Sequence, residues 1–291
     1  MDMSRRSFVL ASLSAAAFSV TALAGCGGTE NNSGGSTSDN GGETATPDGT
    51  GAVDTGTLIV GFDSAYPPYG YVGDDGEYTG FDLDLATEVA NRNGWGVQLE
   101  PVDWDAKDTL LNSGAINCIW NGFTVEGRED DYTFSEPYML NAQVVVVKAD
   151  SDITSLADLA GKNVITQVDS AALDVLEGDK ADLAATFAGG APQTIGDYNT
   201  AFMQLESGAV DAVACDLSIA AYQLAANPDA YVQLDEQLST EHYAVGFKKG
   251  DDATAERVTE TLRTMDADGF VEELCGKYAD QGISYDNWCL E

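Results

Sequence analysis

Three groups of residues able to bind a small charged molecule each follow an apolar run in this 291-residue chain. Asp63, Tyr66, Pro67, Pro68 and Tyr69 follow Leu58 to Phe62 (LIVGF). Gly122, Thr124 and Arg128 follow Ile116 to Asn121 (INCIWN). Asp216 follows Val210 to Cys215 (VDAVAC). A guanidinium takes a carboxylate in a two-pronged fork. An aspartate takes an ammonium, and aromatic side chains wall in what lies between. The combination suits a free α-amino acid, which carries both charged groups on one carbon. There is no CxxC, HExxH or zinc-ligand spacing, and the one histidine, His242, has no assigned role. No metal or cofactor is expected.

Elements that position these groups alternate along the chain. Leu58 to Phe62 reads as a strand buried on both faces. Phe81 to Asn93 carries Leu85, Ala86, Val89 and Ala90 on one helical face, with Gly94 as the stop. Val97 to Val102 and Ile116 to Asn121 read as strands around a helix at Asp105 to Asn112. The four valines Val144 to Val147 favour a strand. The order then repeats. Strands are predicted at Asn163 to Val168, Val210 to Cys215 and His242 to Phe247. Helices are predicted at Leu156 to Ala160, Ala171 to Glu177, Asp197 to Ser207, Leu217 to Ala226, Asp252 to Asp266 and Phe270 to Lys277. Such alternation implies an α/β fold of two lobes, each a mostly parallel sheet with helices on both faces and its ligand edge at the strand ends.

Composition bounds the partners. The chain has 13 Lys+Arg against 49 Asp+Glu, a formal net charge of −36. That balance excludes a nucleic-acid footprint and a polybasic lipid patch. With 44% hydrophobic and 9% aromatic residues, the chain can still build a core. After Gly56 there are 43 acids and 11 bases, so the acidity belongs to the folded part. It favours zwitterionic or cationic ligands over acidic ones.

Residues 1–26 read as an export signal. Arg5 and Arg6 precede the uncharged run Phe8 to Ala24, which is short for a membrane span. SRRSF resembles a twin-arginine signal and LAGC a lipobox, which makes Cys26 the expected lipidated N-terminus, anchored to the outer face of the cell membrane. Residues 27–56 are rich in Gly, Ser, Thr, Asn, Asp and Glu and read as a flexible linker. Cys118 and Cys215 sit in apolar runs and read as buried inert thiols. Cys275 and Cys289 lie fourteen apart, a spacing open to a disulfide that would contribute about 3 kcal/mol.

The chain as a whole resembles the polar-amino-acid class of extracellular solute-binding proteins, which serve ATP-driven importers. The resemblance runs from Thr57 to Lys277 through TLIVGFDSAYPPYGY, DGEYTGFDLDLATEVA, WDAKDTLLNSGAINCIWNGFT, GRE, TFSEPYM, LADLAGKNV and AFMQLESGAVDAVACDLSIAAY. It implies a periplasmic-binding-protein-like fold with two hinge strands, near Ala142–Val146 and Glu241–Val245. Lobe one would comprise residues 57–142 and 246–291, and lobe two residues 143–245. It also implies residue roles. Arg128 would pair with the ligand carboxylate, and Asp216 with the ammonium. Gly122 would offer a carbonyl, and Thr124 an amide and hydroxyl. Asp63 would meet a polar or cationic side chain between Tyr66 and Phe81, with Trp120 beside them, and Ser170 would touch the carboxylate. Trp104 and Tyr138 read as packing. The implied partners are a free amino acid and an importer permease, with the protein a monomer.

Two departures stand out. Gly122 to Arg128 is one residue shorter than the family's G-x-T-x-T-x-E-R, so either its loop is tighter or the roles of Thr124 and Val125 shift. Asp169 stands where the family often has Gly, which puts the role of Ser170 in question. A dehydratase resembling cyclohexadienyl dehydratase is the rival reading, with Glu136 or Asp169 as its acid. A surface lipoprotein that senses a ligand without an importer is another.

Overall fold

The computed structural model describes residues 56–290. The expected export signal, Cys26 and the linker up to residue 55 lie outside the described residues. From Gly56 the chain enters strand β1 (Thr57–Phe62), whose apolar residues are enclosed between two neighbouring strands. A small antiparallel sheet follows, made of β2 (Ala65–Tyr66), β3 (Gly70–Val72) and β4 (Tyr78–Thr79). Helix α1 (Phe81–Asn93) buries Phe81, Leu83, Leu85, Ala86, Val89 and Ala90. Gly94, at φ 68°, ends it by donating its N–H to the last carbonyls. Strand β5 (Gly96–Pro101), helix α2 (Lys107–Ser113), and strands β6 (Cys118–Ile119) and β7 (Tyr132–Phe134) complete this part.

The second part opens with β8 (Met139–Lys148) and β9 (Val164–Gln167). Helices α3 (Ala171–Glu177) and α4 (Ala181–Ala184), strand β10 (Gln193–Ile195) and helix α5 (Tyr198–Ser207) follow. Next come β11 (Ala212–Asp216), α6 (Leu217–Ala226), β12 (Tyr231–Gln233) and β13 (Ser239–Tyr243). Strand β14 (Gly246–Lys248) and helices α7 (Asp252–Ala267) and α8 (Phe270–Lys277) return to the first part.

The first sheet has the order β5-β1-β6-β14-β7, and the second β10-β9-β11-β8-β12 with β13 also on β8. Each sheet has a parallel trio, β5-β1-β6 and β10-β9-β11. Antiparallel pairs join it where the chain passes between the lobes, because a strand that leaves and a strand that returns run in opposite directions. Strand β8 pairs with β13 through Met139–Gln143 and with β11 through Gln143–Val147. The single strand predicted at His242 to Phe247 is two strands. At Ala244 and Val245 the backbone exchanges β8 for Phe123 O and Ser135 Oγ of lobe one. The short strands β7, β10 and β12 and the small sheet carry too few residues for a periodic signal.

Cys118 and Cys215 are buried free thiols. The disulfide that the spacing of Cys275 and Cys289 left open is not formed, and both are free. Cys275 is packed into the core from α8, while the backbone of Cys289 is tied to Tyr138 O at 3.0 Å. Separate anchors hold the two residues, so short sequence separation does not bring their sulfurs together.

Candidate functional site

The three groups of candidate residues gather where the two parallel trios end, facing one another. Asp63 ends β1 and is buried. Its Oδ1 accepts from Ala65 N at 2.8 Å, and its Oδ2 accepts from Gln167 Nε2 at 2.6 Å. Gln167 ends β9, so this bond joins the lobes. Burial pushes the Asp63 carboxyl up, against the downward pull of these two donors.

Gly122 is held by Asp82, whose Oδ2 accepts from Gly122 N at 2.6 Å. Its φ is 57°, and a Cβ there would lie 3.0 Å from Tyr243 Cε2 and 3.2 Å from Tyr66 Cε1. The position needs glycine on both counts. Asp82, in the first turn of α1, is fully buried and also accepts from Tyr138 OH at 2.8 Å. Burial raises its carboxyl to about 7, against those hydrogen bonds. Trp120 packs on Tyr138 beside this pair, without a hydrogen bond of ordinary geometry from its Nε1. The shortened loop closes as a turn, with Gly127 at φ 80° and Arg128 N donating to Val125 O at 3.0 Å.

Arg128 lies over the Phe123 ring at 5.0 Å and reaches across to lobe two. Its Nη2 donates to Asp174 Oδ2 at 2.9 Å and to Asp169 O at 3.3 Å. Trp104 Nε1 donates to the same carbonyl at 3.1 Å, and Lys107 Nζ lies 3.7 Å from Asp169 Oδ2. Asp169 has φ 53°, the one positive value outside glycine among the described residues. Aspartate tolerates that region better than most side chains, which fits its place in a position the family often gives to glycine. Ser170 caps α3. It accepts from Leu173 N at 3.2 Å and donates to Gln167 O at 2.8 Å.

Asp216 stands at the end of β11 with its side chain turned away from capping α6. Its Oδ1 accepts from Asn141 Nδ2 at 3.0 Å, Gln143 Nε2 at 2.7 Å and Tyr243 OH at 2.8 Å. Glu241 lies opposite. Its Oε1 accepts from Thr124 Oγ1 at 3.0 Å, and from the same Asn141 and Gln143 amides at 2.7 and 2.8 Å. Tyr66 OH lies 3.3 Å from Tyr243 OH, and the Tyr66 ring packs on Tyr198 and Tyr69.

Asp63, Tyr66, Gly122, Thr124, Arg128, Ser170 and Asp216 thus come together between the lobes. Phe81 and Trp120 stand further back, fully buried; Phe81 meets Tyr69 and Tyr278, so Tyr69 separates it from Tyr243. Sequence reasoning missed Asn141, Gln143, Gln167, Tyr198, Glu241 and Tyr243, and read Trp104 as packing alone. Alternation along β8 places Asn141 and Gln143 on one face and was the available signal for them.

Residues 58–281 match the bacterial extracellular solute-binding proteins, family 3. The chain belongs to this family. The L-cystine-binding protein TcyJ of Escherichia coli K12 is 28% identical over 226 residues, covering 77% of this chain and 82% of that protein. An ABC uptake transporter substrate-binding protein from Streptococcus pneumoniae with bound histidine has a TM-score of 0.75 and 32% identity, over 79% of this chain and 94% of that one. An ancestral amino acid-binding protein, described as a precursor of cyclohexadienyl dehydratase, has a TM-score of 0.69 and 30% identity, over 76% and 95% of the two chains. In this family 3 protein, Glu136, with its side chain half-exposed, forms an ion pair with Arg263 of α7. Asp169 is engaged by Lys107.

Proposed function

We propose that this family 3 solute-binding protein captures a free amino acid with a cationic or polar side chain outside the cytoplasm and delivers it to an ATP-driven importer. The observation that carries the reading is the environment of Asp216. It is a buried carboxylate held by three uncharged donors, and among the described residues no basic side chain forms an ion pair with it. A buried anion of this kind is completed by a cation. A ligand ammonium at Asp216 has the Gly122 carbonyl and Thr124 beside it. Its carboxylate takes Arg128 in place of Asp174, with the Ser170 turn alongside, and its side chain runs between Tyr66, Tyr198 and Tyr243 toward Asp63. Phe81 and Trp120 back these walls.

An acid at the side-chain end favours L-arginine, L-lysine or L-histidine. The names of the relatives support both this group and L-cystine, whose second ammonium would meet Asp63. Closure follows as a population shift, with hinges near Ala142–Val146 and Glu241–Val245. The crossing of β8 and of β13–β14 between the sheets supports those positions. Export by residues 1–26 and lipidation at Cys26 would hold a monomer at the outer membrane face, beside an importer permease.

The test is calorimetric titration with L-arginine, L-histidine, L-glutamine, L-cystine and L-glutamate. Binding of a cationic amino acid or L-cystine, with L-glutamate far weaker, is expected. Absence of binding across the set, or turnover of prephenate or arogenate, overturns the reading.

A further inference from the structure

Glu241 is given no ligand contact in that reading, yet it is almost completely buried, at 3% exposure beside Asp216 at 4%. Asn141 Nδ2 donates to both acids, at 3.0 Å to Asp216 and 2.7 Å to Glu241. Gln143 Nε2 does the same, at 2.7 and 2.8 Å. The two carboxyl groups are therefore clamped together by the same two amides, projecting from one face of β8.

Among the described residues, no basic side chain forms an ion pair with either acid. Tyr243 on β13, Tyr66 on β2, Tyr69 on the loop after it, and Tyr198 on α5 all have their hydroxyls pushed well up by burial, so each stays neutral. The Cys215 thiol next to Asp216 is pushed up likewise. His242, beside Glu241 in the chain, is turned outward onto Glu126 at 2.6 Å. Arg128 is taken by Asp174. Lys107 lies against Asp169 and Trp104. Two adjacent carboxylates in a buried site without a cation do not both ionise. Burial, and then the charge of Asp216, raise the Glu241 carboxyl to about 8.

We propose that Glu241 is a positioning residue that carries a proton in the ligand-free protein, and that capture of the ligand ammonium at Asp216 drives that proton out. The claim rests on the reading of Asp216 as the ammonium acceptor. The ledger of charge balances. Before binding, the pair is one carboxylate and one carboxylic acid. On binding, the O–H of Glu241 breaks, its electron pair stays on the carboxylate and the proton passes to water. Two carboxylates then face one ammonium, and the local charge is −1 in both states. The carboxyl pair itself goes from one negative charge to two, and the charge of the pair with any bound ammonium stays at −1.

The experiment is calorimetry of the full chain at about pH 7 with L-arginine, L-glutamine and L-cystine as probes, in phosphate and in Tris. These buffers differ in ionisation enthalpy, so the difference in heat counts protons. Release of about 0.5–1 proton per bound probe is expected, with affinity rising up to about tenfold per pH unit between about pH 6 and 7.5. Glu241→Gln, which keeps the shape and an acceptor for the amides, is expected to bind with no proton release and a flat profile. Wild-type binding without proton release overturns the proposal and leaves the amino-acid reading standing. No binding by any probe overturns that reading, and this inference with it. Asp82 is protonated in both proteins at about pH 6.5, so the ligand-free signature is a carboxylic-acid band in the wild-type-minus-Glu241→Gln infrared difference at that pH. Its absence from that difference also overturns the proposal.

Discussion

Arg128 of lobe one places Nη2 2.9 Å from Asp174 Oδ2 on α3 of lobe two. The guanidinium proposed for the ligand's carboxylate is thus held by a carboxylate of the protein itself. Asp174 is 60% exposed on its side chain, so the pair is a weak holding contact that a ligand can replace. A charge-assisted hydrogen bond to a bound ligand is worth about 1.5–3 kcal/mol. Arg128→Ala is therefore expected to weaken L-arginine binding at least about tenfold. Asp174→Ala is expected to change it by no more than about threefold. Calorimetric titration measures both. Unchanged affinity in Arg128→Ala would show that the carboxylate binds elsewhere.

Gly122→Ala tests the close approach of two tyrosines to the backbone. At φ 57°, with Tyr243 and Tyr66 ring atoms 3.0 and 3.2 Å from the added carbon, neither backbone nor rings have room to relax freely. A loss of about 1–3 kcal/mol in stability is expected, read as a lower urea midpoint. Ligand affinity should fall with it, because the displaced rings wall the site. An unchanged midpoint would mean that the loop does not need this conformation.

Asp82 supplies a pH dependence with a definite sign. Its folded carboxyl is raised to about 7, above an unfolded value of about 3.9. The folded state holds that proton more tightly. Its stabilising contribution is complete below about pH 4 and is lost as pH rises through about 7. Glu241, raised to about 8, acts in the same direction over a window that extends slightly higher. In urea unfolding between about pH 4 and 8, wild type should lose stability relative to Asp82→Asn as pH rises. A wild-type-minus-variant difference that stays constant across that range would refute the assignment.

The thiols give a chemical prediction. With Cys118, Cys215, Cys275 and Cys289 all free, dithiothreitol should leave the thermal midpoint unchanged. Denatured, unreduced protein should present all four to a thiol reagent. A lowered midpoint, or two missing thiols, would restore the bridge between Cys275 and Cys289.

Much of this was legible in the chain before any coordinates. The helical stripes at Ala171–Glu177, Leu217–Ala226 and Phe270–Lys277 match their helices residue for residue, because each buries one face and is bounded by local stop signals. Asp63, Gly122 and Asp216 stood out because each follows an apolar run that could only be a buried strand. Glu241 did not. It sits in the polar stretch STEHY, and its partners Asn141, Gln143 and Thr124 lie 100, 98 and 117 positions away.

The sequence by itself determined what depends on neighbours along the chain: the alternation of strand and helix, the turn at the shortened loop, the excess of acid and the order of the family's motifs. Tertiary structure alone decided which charges meet. It set Asp174 on Arg128, Gln167 on Asp63 and Glu241 beside Asp216, and left Cys275 apart from Cys289. The reason is physical. Periodicity and capping act over a few residues and leave a mark in the local pattern. Coulomb interaction and desolvation depend on distance through space and on what surrounds each group, and folding brings together residues that no local pattern connects.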